Sequence, residues 1–235
     1  STLAAIPYSI INVSIPRLSY LLKNKGKEIY EEKLNNSISS LLFIIVPMCL
    51  GVFVLSKEII ILYAGKKYLA AIVPLMIACI TRIFISLESV MNNLVMYPNN
   101  REDRILKVSL ICGTSNLIIN YLLVTFKIFS PITALATTGL VELAVFITHY
   151  IYARRKMNIN VQVFSKKNMT YIILSLLFIP ISLLLRKLDL GFYINMILII
   201  ITCMLLYFIV LYIKKDNNLM FILDKFKNKL KVGKK

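Results

Sequence analysis

Residues 69–96 read LAAIVPLMIACITRIFISLESVMNNLVM. A helix needs roughly 20 apolar residues to cross a bilayer core, and this run is long enough. Its polar groups are not scattered. Plotted at about 100° per residue, Thr81, Arg82, Ser86, Glu88, Ser89, Asn92 and Asn93 fall on one arc of roughly 160°. Ile77, Ile80, Ile83, Phe84, Leu87, Val90, Met91 and Leu94 fill the other side. Charge at membrane depth is costly and persists where it lines a wet cavity or pairs inside a bundle. A spanning helix with an Arg, a Glu and two Asn on one face is therefore more than an anchor. It points to a protein that lets something polar pass.

The surrounding chain repeats the apolar character. It is 58% hydrophobic, with a mean hydropathy of +0.77, outside the range of soluble domains. Hydropathy predicts spans at about 3–22, 38–56, 69–96, 105–126, 131–153, 169–185 and 192–213. These runs are too long for the ~10-residue alternating strands of a membrane barrel. The expected fold class is all-α: a polytopic transmembrane helix bundle of about seven spans. The run from Asn195 to Ile213 carries no charge, which argues further against a soluble core. Cys49, Cys79, Cys112 and Cys203 sit singly in four different spans, as small apolar filler rather than metal ligands. A Gly65-Lys66 pair lacks the upstream glycine of a phosphate loop, since Ile60 stands there. No nucleotide-binding motif and no catalytic pair emerges, so the expectation is neither an enzyme nor a cofactor carrier.

The net charge of +17 matters through its placement. Most Lys and Arg fall in the first, third and fifth connections and the tail, for example Lys25, Lys27 and Lys33, then Arg101 and Arg104, then Arg154 to Lys156. The alternate connections hold few, such as Lys66, Lys127 and Lys187. The positive-inside rule puts the first set in the cytoplasm, with the C-terminus inside and the first helix starting outside. The basic residues punctuate spans and build no aromatic-interleaved face, so a nucleic-acid partner is not expected. The chain begins at Ser1 and the first span follows at once, without a cleavable leader pattern. That start fits a trimmed N-terminus or the second half of a longer protein.

The first span carries Pro7 and Pro16, with Arg17 beside the second; Arg17 either lines a path or snorkels to the interface. The fourth span sets Ser109, Cys112, Gly113, Asn116 and Asn120 on one stripe, suited to close helix packing or to cavity lining. The fifth carries Thr138, Glu142 and His149 on one face. Mid-span Glu142 must be protonated, meet a cation such as Arg82, or face water. His149 is read as an interfacial residue in preference to a proton relay. The sixth and seventh spans lack deep ionisable groups and read as lipid-facing. Three parts follow: a polar-lined bundle over 1–153, a peripheral pair over 154–213 and a basic tail over 214–235. Leu219, Leu223, Phe226 and Leu230 lie at helical spacing among tail lysines, an amphipathic helix for an anionic inner leaflet or else a solvated tail.

Several of these residues together resemble a known family. They are Ile15-Pro16-Arg17-Leu18-Ser19, Pro47 and Gly51, the run from Ile59 to Tyr68, Asn116 and Asn120, Thr133-Ala134-Leu135-Ala136-Thr137, and Glu142. The pattern resembles the C-terminal half of a polysaccharide flippase, the O-antigen or capsule repeat-unit type, of the multidrug/oligosaccharidyl-lipid/polysaccharide exporter superfamily. It covers about residues 3–153, and departs where Thr133 replaces a glycine usual before the Ala-rich run. The resemblance implies the second lobe of a MATE-like transporter plus two extra C-terminal helices, with the N-terminal lobe missing from this sequence. It implies an inner-membrane protein that moves undecaprenyl-diphosphate-linked oligosaccharide to the outer leaflet. On that reading Arg17 and Arg82 meet the diphosphate. Ser86, Ser89, Asn92, Asn93, Asn116 and Asn120 meet sugar hydroxyls. Glu88 and Glu142 bind a coupling H+ or Na+, or pair with the arginines. The alternatives are a cation-coupled drug or metabolite antiporter of the same superfamily and a membrane-embedded acyl- or glycosyltransferase.

Overall fold

The computed structural model describes residues 2–232, and every regular element among them is helical. The chain runs α1 (Thr2–Asn24), α2 (Lys27–Val54), α3 (Ser56–Ala64), α4 (Ile72–Val90), α5 (Glu102–Thr125), α6 (Pro131–Arg155), α7 (Lys166–Leu176), α8 (Phe178–Arg186), α9 (Phe192–Ile213) and α10 (Asn217–Val232). Lys234 and Lys235 of the basic tail lie outside the described residues, as do the side chains of Pro7, Phe226 and Leu230.

Among the described residues, six helical stretches are long and apolar enough to cross a membrane: Lys27–Val54, Lys66–Asn99, Glu102–Thr125, Pro131–Arg155, Lys166–Arg186 and Phe192–Ile213. They make the chain a multi-pass membrane helix bundle. α1, with 23 residues, has the length of a further span, but Ser9, Asn12, Ser14 and Arg17 dilute its apolar character.

Two spans differ in detail from the hydropathy reading. The second begins at Lys27 rather than near residue 38. Tyr30, Leu34 and Ile38 recur every four residues and are fully buried, so one buried stripe carries the helix beyond its apolar run. Lys27 and Lys33 thus belong to a helix, not a loop. The third is not one uniform rod. A 3-10 segment (Lys66–Ala71) leads into α4, which passes into a π-helical segment (Met91–Met96) and a 3-10 turn ending at Asn99. Asn100, in the left-handed region at φ 54°, turns the chain toward α5.

α4 is the centre of the bundle. It packs most extensively on α6, then on α2, with α1 and α3 also against it. α5 rests mainly on α6 and has no buried residue in its apolar window, which makes it the most outlying span. Of the two spans expected to face lipid, the sixth is partly covered and the seventh keeps an outward apolar face. α7 lies against α2 and buries Asn168, Tyr171 and Ser175 completely, while α9 presents Ile197, Ile201, Leu205 and Ile209 outward. Aromatic contacts join these helices: Phe43 meets Tyr171 edge-on at 5.6 Å between centroids, and the Tyr207 hydroxyl donates to the Phe43 carbonyl at 2.8 Å. At the far end of α8, Arg186 donates to the Val54 carbonyl at 2.7 Å and to Glu58 Oε2 at 2.9 Å, pinning it to the α2–α3 junction. The α6–α7 connection is clamped to α2 as well: Asn35 donates to the Asn160 carbonyl and accepts from the Gln162 amide, each at 2.8 Å.

The tail helix forms as its spacing predicts. In α10, Leu219 is buried and Leu223 half-buried, while Asp224, Lys225 and Lys227 are exposed.

Candidate functional site

The polar arc of α4 lies within the bundle. Thr81, Ser86 and Ser89 are buried, and Arg82, Glu88, Asn92 and Asn93 are half-buried. What makes this approach possible is Gly139 on α6: a Cβ built there would stand 2.6 Å from Thr81 Oγ1. Thr81 Oγ1 in turn donates to the Leu135 carbonyl at 3.3 Å. Small residues at a helix crossing let backbones come close, and a hydroxyl bond then ties them. The α4–α6 crossing therefore sits at the level of Arg82.

Local bonds set the arc's side chains. Ser86 donates to the Arg82 carbonyl at 2.9 Å, and Asn93 Nδ2 to the Ser89 carbonyl at 2.9 Å. Glu88 accepts from both Asn92 Nδ2 and Ser89 Oγ, so its carboxyl is held along its own helix. The other amide atom of Asn92, Oδ1, is buried without a partner. The π segment widens the helix just where Asn92 and Asn93 stand. It is secured from outside: Tyr30 Oη donates to the Leu94 carbonyl at 2.7 Å, and Asn99 Nδ2 to the Val95 carbonyl at 2.7 Å. Single-turn π segments recur at functional sites because they break the regular ladder and re-aim side chains.

Glu142 of α6 joins this cluster. It lies within Coulomb range of Glu88 and of Arg82, and also near Cys112 on α5. Arg82 and Glu142 do not close into an ion pair, and neither they nor Glu88 takes part in any among the described residues. Asn116 and Asn120 play a tying role. Asn120 Nδ2 donates to Asn116 Oδ1 at 2.9 Å, and Thr137 of α6 donates to Asn120 Oδ1 at 3.1 Å. An amide–hydroxyl chain thus joins α5 to α6. Arg17 stands apart: it is exposed on α1, and no bond joins it to the arc. His149, read from sequence as interfacial, is fully buried with neither ring nitrogen bonded.

Thr133 has a local explanation. It and Ser130 form a reciprocal capping box at the start of α6: the Thr133 amide donates to Ser130 Oγ at 3.2 Å, and the Ser130 amide to Thr133 Oγ1 at 2.8 Å. Tyr30 and Gly139 are contributors that the sequence reading did not single out, and Thr137 entered it only as part of the family pattern. The small-residue run Thr133 to Gly139 was the available signal for the last two. Nothing in the sequence marks Tyr30 as the π segment's clamp.

The arrangement is a polar seam of one cation, two carboxylates and several amides and hydroxyls at the junction of α4, α5 and α6, inside a membrane bundle. No family model, no curated protein and no solved structure matches the chain.

Proposed function

We propose that the chain is the second lobe of a polysaccharide flippase, a transporter and not an enzyme, working in the inner membrane with its C-terminus cytoplasmic. Its substrate is an undecaprenyl-diphosphate-linked oligosaccharide repeat unit. The observation that carries the reading is that Arg82, half-buried at a helix crossing, forms no ion pair among the described residues although the Glu142 carboxylate lies within Coulomb range. A guanidinium so held is free to meet a passing diphosphate in bidentate fashion. The seam's hydroxyls and amides suit sugar hydroxyls. A rigid α4–α6 pair, with a π segment at one end, suits rocking of one lobe against another, the usual form of alternating access. An N-terminal lobe supplies the rest of the cavity, and the basic tail rests on anionic inner-leaflet lipids.

A second reading rests on the acid pair. Glu88 and Glu142 act on one another, so the seam also suits a cation, as a coupling H+ or Na+ or as the cargo of a related antiporter.

The test is translocation of a fluorescent lipid-linked oligosaccharide in proteoliposomes by the full-length protein. Arg82→Ala and Glu88→Gln should each lower the rate by roughly tenfold or more, the loss of one charge-assisted contact, while membrane insertion persists. Normal translocation by both variants would remove the seam from the path. Loss of cation export with no activity on the lipid-linked sugar would favour the antiporter.

A further inference from the structure

A second polar site lies well away from the seam, where α7, α9 and α10 meet. Lys214 is the C-cap of α9, and Lys215 follows in the left-handed region at φ 50°. Its amide donates to the Tyr212 carbonyl and that of Asp216 to the Leu211 carbonyl, each at 3.0 Å, closing α9 and fixing both lysines on a capped turn. Lys166 and Lys167 stand in the first turn of α7, whose N-cap Ser165 accepts from the Asn168 amide at 3.3 Å. The four lysines, with Thr170 and Asp216, line a concavity of about 300 Å³.

Asp216 offsets one of the four charges. Oδ1 of Asp216 accepts from the Asn218 and Leu219 amides at 2.9 and 3.2 Å, capping α10. Its Oδ2 accepts from Tyr171 Oη at 2.7 Å, and Lys167 Nζ stands 3.9 Å away. Asn218 Nδ2 also donates to Tyr171 Oη at 3.1 Å, so the start of α10 is locked onto buried α7. The carboxylate is thus shared between the floor and Lys167, and Lys166, Lys214 and Lys215 line the concavity without an ion pair among the described residues. An apolar groove of about 440 Å³ is walled by the same α9–α10 corner, through Phe208, Ile209 and Tyr212 on one side and Leu219, Ile222 and Leu223 on the other.

We infer that this corner binds an anionic phospholipid: its phosphate among Lys166, Lys167, Lys214 and Lys215, and an acyl chain in the groove between α9 and α10. Ammonium groups serve as point-charge phosphate binders, and basic pockets between spanning helices at a membrane face take anionic head groups. The groove distinguishes a lipid from free phosphate, which has nothing to place there. The site does not depend on what the α4–α6 seam transports.

The experiment is native mass spectrometry of the full-length protein in nanodiscs of phosphatidylglycerol mixed with phosphatidylcholine, with helicity by circular dichroism as the folding control. One phosphatidylglycerol should be retained in preference to phosphatidylcholine. Lys167→Gln/Lys214→Gln should weaken retention by roughly thirty-fold, the sum of two surface lysines. Lys167→Arg/Lys214→Arg and Lys187→Gln should keep it, and Leu223→Gln in the groove should lower it with the lysines intact. Equal retention of phosphatidylglycerol by the double Gln variant, folded by circular dichroism, overturns the site. Millimolar inorganic phosphate that displaces the lipid completely, with Leu223→Gln neutral, overturns the lipid as occupant. If the Gln pair unfolds, the Arg pair decides: retention supports the site and loss overturns it.

Discussion

Single atoms fix the geometry of the α4 seam, and the clearest case is the Tyr30 hydroxyl. It reaches from α2 to the Leu94 carbonyl, which lies in the π segment, at 2.7 Å. Tyr30 is fully buried, so its removal leaves no water to replace it. Tyr30→Phe should cost about 1–2 kcal/mol and speed amide exchange over residues 91–96, as read by hydrogen–deuterium exchange in detergent. Unchanged exchange there would mean the π segment holds itself. The Arg186–Glu58 pair makes a parallel case at the opposite end of α8. Glu58 is buried, and Arg186 is about one-third exposed at 32%. Arg186→Ala strands the carboxylate and should lower thermal stability by about 1–3 kcal/mol, below the cost of breaking a fully buried pair. Arg186→Ala/Glu58→Gln should recover part of that loss in the same melting assay.

Among the elements, α4 and α6 carry the design. Their closeness depends on Gly139 having no side chain opposite Thr81. Gly139→Ala should cost about 1–3 kcal/mol by overpacking and reduce transport, because α4 must move away from α6. Removing the facing hydroxyl in Gly139→Ala/Thr81→Ala should restore much of the stability, which a melting-temperature series would read. Failure of the double variant to recover would mean that the contact yields elsewhere. Hydropathy made the spans legible because burial in lipid and burial in a bundle select the same residues. It did not make legible where α2 begins, since Lys27 to Asn36 is polar and helical on the strength of one buried stripe, Tyr30, Leu34 and Ile38. The π segment was equally hidden: residues 91–96 contain neither proline nor glycine, and its clamp comes from residue 30. The lipid-facing reading of α7 fits Ile173 and Leu176, which are exposed, but not the side turned to α2. Its deep polar groups, Ser175 and Tyr171, are uncharged, and composition alone does not say that α2 covers them.

At the scale of the whole molecule, two polar regions stand on different sets of helices. The seam runs from central α4 by way of α6 to outlying α5. The lysine corner sits at one end, on α7, α9 and α10. The periodicity of residues 69–96 marked the first, through an arc whose residues are buried or half-buried, while Val90, Met91 and Leu94 of the apolar side are packed into the core. Lysines at positions 166–167 and 214–215, distant in sequence, meet only through the fold, so the second was not visible in the chain. The α4 arc bears the account's central claim, that it faces water shared with a transport path and not lipid. Cysteine accessibility in membranes tests it most directly. On a background with Cys49, Cys79, Cys112 and Cys203 replaced, Glu88→Cys, Asn92→Cys and Asn93→Cys, all at half-buried arc positions, should react with a membrane-impermeant thiosulfonate, and Ile80→Cys on the opposite face should not. Reaction at Ile80→Cys with protection of the three arc positions would contradict the account.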